Sequence, residues 1–391
     1  MKKICLFIAA LCASFALFAQ TEPEEVKAFA GSVYVSPQGS YTPSFGVDGT
    51  DKRVRNVILL IGDGMGMGAV NAGMYANGGT LTLTNLRTFG YVRTQSADRF
   101  TTDSAASGIA YATGIKTNNG YLGMNPDKQA VPDIPEILAP LGYACGVLST
   151  DDLNGATPAA FFAHQPARGN KEEIWADLPG SSLVFASAGT QSVFEERPLS
   201  TQDAIRKQFT VVYDPADPAV AASKKLLYLP KTVSLERGDY LPATTELAID
   251  YLAARGKKGF FLMVEGARID KYEHSNDFEG TVKEMLDFDK AVEAAIRFAE
   301  RDGHTLVIIS ADHETGATTV TRGNPAEGFA AGVFASKGHS PMMVPLFAYG
   351  PRSRDFSCVQ ENSDVANKII AILTGKKGPV PSVPSKYIVN R

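Results

Sequence analysis

Five apolar runs punctuate the chain: "VILLI" (57–61), "YACGVLS" (143–149), "GFFLMVEG" (259–266), "HTLVIIS" (304–310) and "VPLFAYG" (344–350). Each is continuous rather than alternating, so each reads as a strand buried on both faces. Between them lie stretches with apolar positions every three or four residues, clearest in "TVKEMLDFDKAVEAAIRFAER" (281–301), the spacing of one helix face. Buried strands alternating with helices predict an α/β fold, a mostly parallel sheet covered on both faces. No internal repeat interrupts this order.

The pattern fails at both ends. Residues 1–19 place Lys2 and Lys3 before an apolar run, with Ala19 as a cleavage position, and read as an export signal too short to span a membrane. Cys12 follows Leu11, where a lipoprotein site wants a small residue, so that alternative is weaker. A lead-in rich in Gly, Ser, Pro and Thr covers 20–53, the body 54–374, and a proline-rich tail 375–391. The expected location is periplasmic or secreted.

Composition changes little in this picture. A chain of 391 residues, 44% hydrophobic and 20% charged, has the makeup of an ordinary globular protein. Its net charge of −4 becomes two units more negative once the leader is removed, and nothing suggests a nucleic-acid partner. Cys145 and Cys358 remain in the mature chain; one disulfide is allowed in an exported protein, but two separate buried thiols are the preferred reading.

The first run ends in "GDGMGMGA" (62–69), where Gly64, Gly66 and Ala69 fit the glycine fingerprint of dinucleotide-binding folds. Asp63 argues against that fit. A carboxylate about 4 Å from a pyrophosphate would cost roughly 4 kcal/mol at an effective dielectric near 20. The acid expected about 20 residues later for a ribose hydroxyl is also missing. Asp63 therefore needs a cation beside it, or no phosphate binds there.

Reactive groups in open α/β sheets collect at the carboxyl ends of strands. Asp63 follows the first run, Glu265 closes the third, and Asp312 and His313 follow the fourth. In "VEGARIDKYEH", Asp270 and His274 are four apart, on one helix face, where they could share an ion. His339 sits in "KGHSPMMVPLF", a loop feeding the fifth run. Mixed carboxylate and imidazole ligands suit zinc, and oxygens alone suit magnesium. Taken singly, each residue reads as a turn residue, a cap or a solvated pair. Taken together they weigh more, because three of only five histidines fall in this set. His164 and His304 are left to structural roles, and Asp287 and Asp289 to surface or structural charges.

Ser104, in "FTTDSAASGIAYATGIKTNNG", precedes small residues, and a helix starting there would aim its first amides at an anion. A serine hydroxyl needs a base or a metal to act as nucleophile. No histidine is near in sequence and the G-x-S-x-G elbow is absent. Asp103 or Ser104 as a plain helix cap is the ordinary alternative.

Six segments now carry a resemblance: "NVILLIGDGMG", "TTDSAASGIAYATGIKTNNG", "ATPAAFFAHQPAR", "FFLMVEGARIDKYEH", "ADHETG" and "GHSPMMVPLFAYGP". In content and order, from about 54 to 351, the chain resembles the alkaline phosphatase family. The resemblance implies a three-layer α/β/α sandwich, usually a homodimer, hydrolysing phosphate monoesters with two zinc ions and one magnesium ion. Asp270, His274 and His339 would hold one zinc; Asp63, Asp312 and His313 the other. Asp63, Thr157 and Glu265 would serve the magnesium. Ser104 resembles the family's nucleophile, and Arg168 its phosphate clamp. Two metals about 4 Å apart can hold the attacking and leaving oxygens of an in-line displacement, and arginine offers phosphate two parallel donors.

The departures matter as much. Gly155 stands where relatives often carry an Asp or His near the magnesium, so the third site is expected to be loosely held and Gly155→Asp to tighten it, unless the glycine has positive φ. Residues 170–243 match the family poorly. Phosphodiesterases share the metal frame but usually present threonine, and sulfatases need a C/S-x-P-x-R motif that this chain lacks. A catalytically silent metal-binding protein would require a lost ligand or nucleophile.

Overall fold

In the computed structural model, which describes residues 29–376 and residue 378, all five apolar runs form strands of one sheet. They are β1 (Asn56–Gly62), β2 (Tyr143–Ser149), β3 (Gly259–Gly266), β4 (Thr305–Ser310) and β5 (Val344–Tyr349). The leader expected at 1–19, and the tail apart from its first residues, lie outside the described residues. The sheet has ten strands, with β5, β4, β1, β3 and β2 adjacent in that order. Strands β4, β1, β3 and β2 run parallel, and the side chains of β1, β2 and β4 are buried throughout. Helices cover both faces, giving an α/β/α sandwich.

β5 departs from the parallel pattern, pairing antiparallel with β4 and with Thr88–Arg93. A parallel return needs a crossover, usually a helix. The chain between Ser310 and Val344 has no α-helix; it makes strands Thr318–Asn324 and Phe329–Phe334 and re-enters the sheet from the end it left. The lead-in contributes to this excursion, because Phe29–Tyr34 pairs antiparallel with Phe329–Phe334. No sequence signal in the lead-in announced that strand.

Three helices position the chemistry: α1 (Ser104–Thr113), α2 (Arg268–Ser275) and α3 (Phe278–Asp302). α3 is capped by Asp277, which accepts from Gly280 N, and ends at Gly303 with φ 70°. The stretch 170–243 adds the three short strands Phe185–Ser187, Thr210–Val212 and Leu226–Tyr228 at one edge of the sheet. It is stapled to α3 by Arg237, whose Nη1 and Nη2 donate to Glu284 at 2.8 and 2.5 Å while Nη2 also donates to Asp287 at 2.6 Å.

Asp287 and Asp289 are structural. Asp289 is buried and accepts from the backbone amides of Thr82 and Leu83. His304 Nδ1 bonds the Arg53 carbonyl, and His164 Nε2 the Val131 carbonyl. Cys145 is buried as expected, but Cys358 is exposed, which corrects the reading of two buried thiols; both are free. Cys358 falls in a turn before Val359–Glu361 rather than in a covered strand. Among the described residues, no helix is long and apolar enough to cross a membrane.

Candidate active site and metal centre

Strand register brings the candidate acids to one level. Ile61 of β1 lies opposite Glu265 of β3 on one side and Ser310 of β4 on the other, so Asp63, Glu265 and Asp312 emerge together at the carboxyl edge. The turn after β1 depends on Gly64, which has φ 77° and where a Cβ would come within 2.8 Å of Asp270 Cα. That approach lets Asp270 N donate to Asp63 O at 2.9 Å and Gly64 N to Asp312 Oδ1 at 3.1 Å. The glycines thus press two backbone segments together and do not mark a dinucleotide fold.

Two groups of potential metal ligands result, each with ligand atoms within 4.8 Å of one another. In the first, Asp63, Asp312 and His313, His313 Nε2 is 3.1 Å from Asp312 Oδ2 and 3.5 Å from Asp63 Oδ1. In the second, Asp270 Oδ2 is 3.3 Å from His274 Nε2, Asp270 Oδ1 is 3.6 Å from His339 Nε2, and the two Nε2 atoms are 3.2 Å apart. The expected i,i+4 pair is on α2 as the spacing required. His339 lies not in a loop but in a two-residue strand, because Thr315 and Glu314 pair with it and Ser340.

The other nitrogen of each ring fixes its tautomer. His339 Nδ1 donates to the Thr102 carbonyl at 3.0 Å and His274 Nδ1 to the Lys337 carbonyl at 2.5 Å. His313 Nδ1 is 3.2 Å from Thr315 Oγ1, whose hydroxyl is already donated to Asp270 Oδ1 at 2.5 Å, so the ring donates here too. When neutral, each of the three rings therefore turns an Nε2 lone pair toward a cluster of carboxylates. Carbonyl partners on the far nitrogen are the usual orienting contacts of metal-ligating histidines.

A third group needs only oxygens. Glu265 accepts from the Ser149 hydroxyl, and Thr157 lies in the short helix Ala156–Ala159. Burial, followed by the charge of Asp151, nevertheless raises Glu265 to about 8. Burial and then the carboxylates of Asp312, Asp270 and Glu265 push Asp63 well above the usual range. For Asp270, burial is outweighed by His274, His313 and Thr315, which hold it well below that range. His274 rises in turn to about 9, chiefly through its bond to Asp270. Three buried oxygens of this centre, Asp63 Oδ1, Asp312 Oδ2 and Thr157 Oγ1, have no hydrogen-bond partner among the described residues. Orphaned buried acceptors are costly, and cations at this centre would satisfy them.

Ser104 begins α1, 5% exposed, with its Oγ 3.1 Å from His313 Nε2. Its neighbour Asp103 is the helix cap, accepting from Ala106 N at 3.0 Å, and also accepts from Arg168 Nη1 at 3.1 Å. Arg168 is thus anchored beside the serine. Sequence reasoning treated Asp103 only as an ordinary cap and passed over Lys271, which pairs with Asp151. The cap position was visible; the partners, 65 and 120 residues away, were not. A further cluster, Asp133, Glu136 and His164, is explained by a capping box and a His–Glu contact of 3.5 Å.

Comparisons with known proteins identify the family of the chain. A family model described as alkaline phosphatase matches residues 54–202 and 234–331, so the poor match expected over 170–243 narrows to 203–233. Alkaline phosphatase 4 of Bacillus subtilis is 33% identical over 340 residues, covering 81% of this chain and 74% of its own. The alkaline phosphatase of Escherichia coli is 30% identical over 403 residues, covering 81% and 85%. The solved alkaline phosphatase from the Antarctic bacterium TAB5 superposes with a TM-score of 0.76 at 35% identity, covering 82% of this chain and 98% of that one. The chain belongs to the alkaline phosphatase family, and it is a phosphatase.

Proposed function

We propose that this enzyme hydrolyses phosphate monoesters in two steps through a phosphoserine on Ser104, releasing inorganic phosphate. The cofactors in this reading are two zinc ions, held by Asp270, His274 and His339 and by Asp63, Asp312 and His313, and one magnesium ion held by Asp63, Thr157 and Glu265. The observation that carries it is the convergence of three Nε2 atoms on Asp63, Asp270 and Asp312, with Asp63 Oδ1 and Asp312 Oδ2 left without hydrogen-bond partners among the described residues. The mixed donor sets suit zinc and the all-oxygen set suits magnesium. A mutant of the TAB5 enzyme was solved with Mg bound in its M3 site, which supports a third site here.

Bound there, the ions would lower the pKa of the serine hydroxyl and neutralise charge on the departing oxygen. The chain's own groups do the rest. Ser104 Oγ attacks phosphorus in line with the leaving alkoxide, the P–O bond to that alkoxide breaks, and phosphoserine forms. Arg168 offers two parallel donors to the non-bridging oxygens, with Asp103 setting its angle. The N-terminal turn of α1 adds amides without intrahelical acceptors on the same side. Water then attacks the phosphoserine, the Ser104 Oγ–P bond breaks, and inorganic phosphate leaves.

Serine as nucleophile and the oxygen-only group at Thr157 and Glu265 favour monoesters over diesters. The leader at 1–19 supports action in the periplasm or outside the cell. Metal analysis of the purified protein, with hydrolysis rates for a generic phosphomonoester and a diester, tests the reading. Preference for the diester, or full activity in chelator-treated protein, would overturn it.

A further inference from the structure

Gly155, two residues before Thr157, stands where the family resemblance expects an Asp or His. The fold supplies one from four residues upstream. A Cβ on Gly155 would lie 2.9 Å from Asp151 Oδ2 and 2.8 Å from the Asp152 carbonyl oxygen. The space of the missing side chain is therefore occupied by the Asp151 carboxylate. Backbone conformation is not the reason for the glycine, since its φ is −59°.

Asp151 is held on several sides. Its amide donates to Ser149 Oγ at 2.8 Å, and that hydroxyl is donated to Glu265, so one hydrogen-bond chain joins Asp151 to the oxygen-only group. Its carbonyl accepts from Gly189 N at 2.6 Å. Its Oδ1 pairs with Lys271, the residue after Asp270, while Oδ2 faces Gly155. Asp151 thus connects through its backbone to the Glu265 group and through its side chain to the helix that carries Asp270. It is 29% exposed, accessible to water, unlike the buried Glu265 and Thr157. Magnesium keeps several waters in its shell, and a wet carboxylate at its edge orders them.

We infer that Asp151, in the space opened by Gly155, is the positioning residue of the Asp63–Thr157–Glu265 site, orienting the waters of a magnesium ion and anchoring Lys271 at the edge of the centre. This rests on the metal-site reading above. It replaces the expectation of a loosely held third site with that of a site completed from an unexpected position. Asp151 is also the leading charged neighbour of Glu265, and a cation between them would relieve that repulsion.

The test is calorimetric titration of Mg2+ into zinc-loaded wild type, Asp151→Asn and Glu265→Gln, with melting temperatures measured with and without Mg2+. Asp151→Asn is expected to weaken Mg2+ binding about 10- to 100-fold, leaving zinc content and the Mg2+-free melting temperature unchanged, which a purely structural role would not do. Asp151→Ser replaces the Asn variant should that fail to fold, with the same expectation. Unchanged Mg2+ affinity in the Asp151 variant, with Glu265→Gln abolishing binding, overturns the inference and spares the site. Absence of Mg2+ binding in wild type, or undiminished binding in Glu265→Gln, overturns both.

Discussion

Ser104 Oγ lies 3.1 Å from His313 Nε2, the same nitrogen that faces Asp312 at 3.1 Å and Asp63 at 3.5 Å. A Ser–His–Asp relay places its acid on the opposite ring nitrogen and leaves Nε2 to the serine alone. Here Nδ1 is engaged by Thr315. The geometry fits oxygens and imidazole gathered on a shared cation, not a proton relay.

Replacing that hydroxyl should isolate its chemistry. Ser104→Ala is expected to abolish acid-stable labelling by radioactive phosphate and to lower turnover on the order of 10³-fold or more. Circular dichroism and zinc content should not change, because Asp103 keeps the cap of α1. Label persisting in the variant would remove Ser104 from its role.

Loss of His339 should be selective. His339→Ala leaves Asp270 and His274 to hold one zinc, while the Asp63, Asp312 and His313 group keeps its full set. Outer partners of metal ligands are already worth about 10- to 100-fold in affinity, so loss of a ligand should cost at least that. Atomic emission should find close to one zinc equivalent missing; unchanged stoichiometry would place His339 outside the site.

Protons compete with metal at His274. Its pKa, raised to about 9 by Asp270, means that the proton must leave before Nε2 can bind an ion. Zinc affinity of chelator-treated protein should therefore climb with pH up to about 9 and then level off. The sign for stability is opposite: in stripped protein the His274–Asp270 pair contributes fully below the ordinary histidine pKa and is lost as pH rises through about 9. Thermal unfolding of stripped and zinc-loaded protein across that range should show the two trends diverging.

The core of this fold is legible because β1, β2 and β4 are continuous apolar runs with buried side chains throughout. The edge strands at Phe185–Ser187, Thr210–Val212 and Leu226–Tyr228 have three residues each, too short for periodicity to register. The direction of β5 was hidden because an apolar run carries no polarity; the connection sets it. Among site residues, those at strand ends could be named one by one. Asp103, Lys271 and Asp151 could not, since each gains its meaning from a partner that only tertiary folding brings near.

Arg237 makes the edge segment's stability measurable. Its side chain is 2% exposed, and Glu284 beneath it 1%. Arg237→Met would leave Asp287 without this partner and Glu284 with only Arg268 at 3.8 Å, and breaking a buried pair in this way costs up to about 3–5 kcal/mol. Urea unfolding should show a loss of that order with phosphatase activity retained at low denaturant.

Gly155→Asp was the substitution the sequence favoured, and the structure reverses the expectation. The new Cβ would meet a backbone oxygen at 2.8 Å, which cannot swing aside as a side chain could. The variant should melt several degrees lower and bind Mg2+ no better than wild type. Differential scanning calorimetry with and without Mg2+ decides it.

The pairing of Ile61 with Glu265 on one flank and Ser310 on the other has a consequence for how the chain reaches its native state. A slip of one residue in β1 would move Asp63 about 3.3 Å and turn its side chain to the opposite face, scattering donors drawn from regions as distant as 63 and 339. Only the correctly threaded chain can chelate. An ion at about a thousand times its dissociation constant would add roughly 4 kcal/mol to that one state; on the proposed zinc reading, metal supply would act as a proofreader of assembly, and refolding yield should rise with it before any substrate is present.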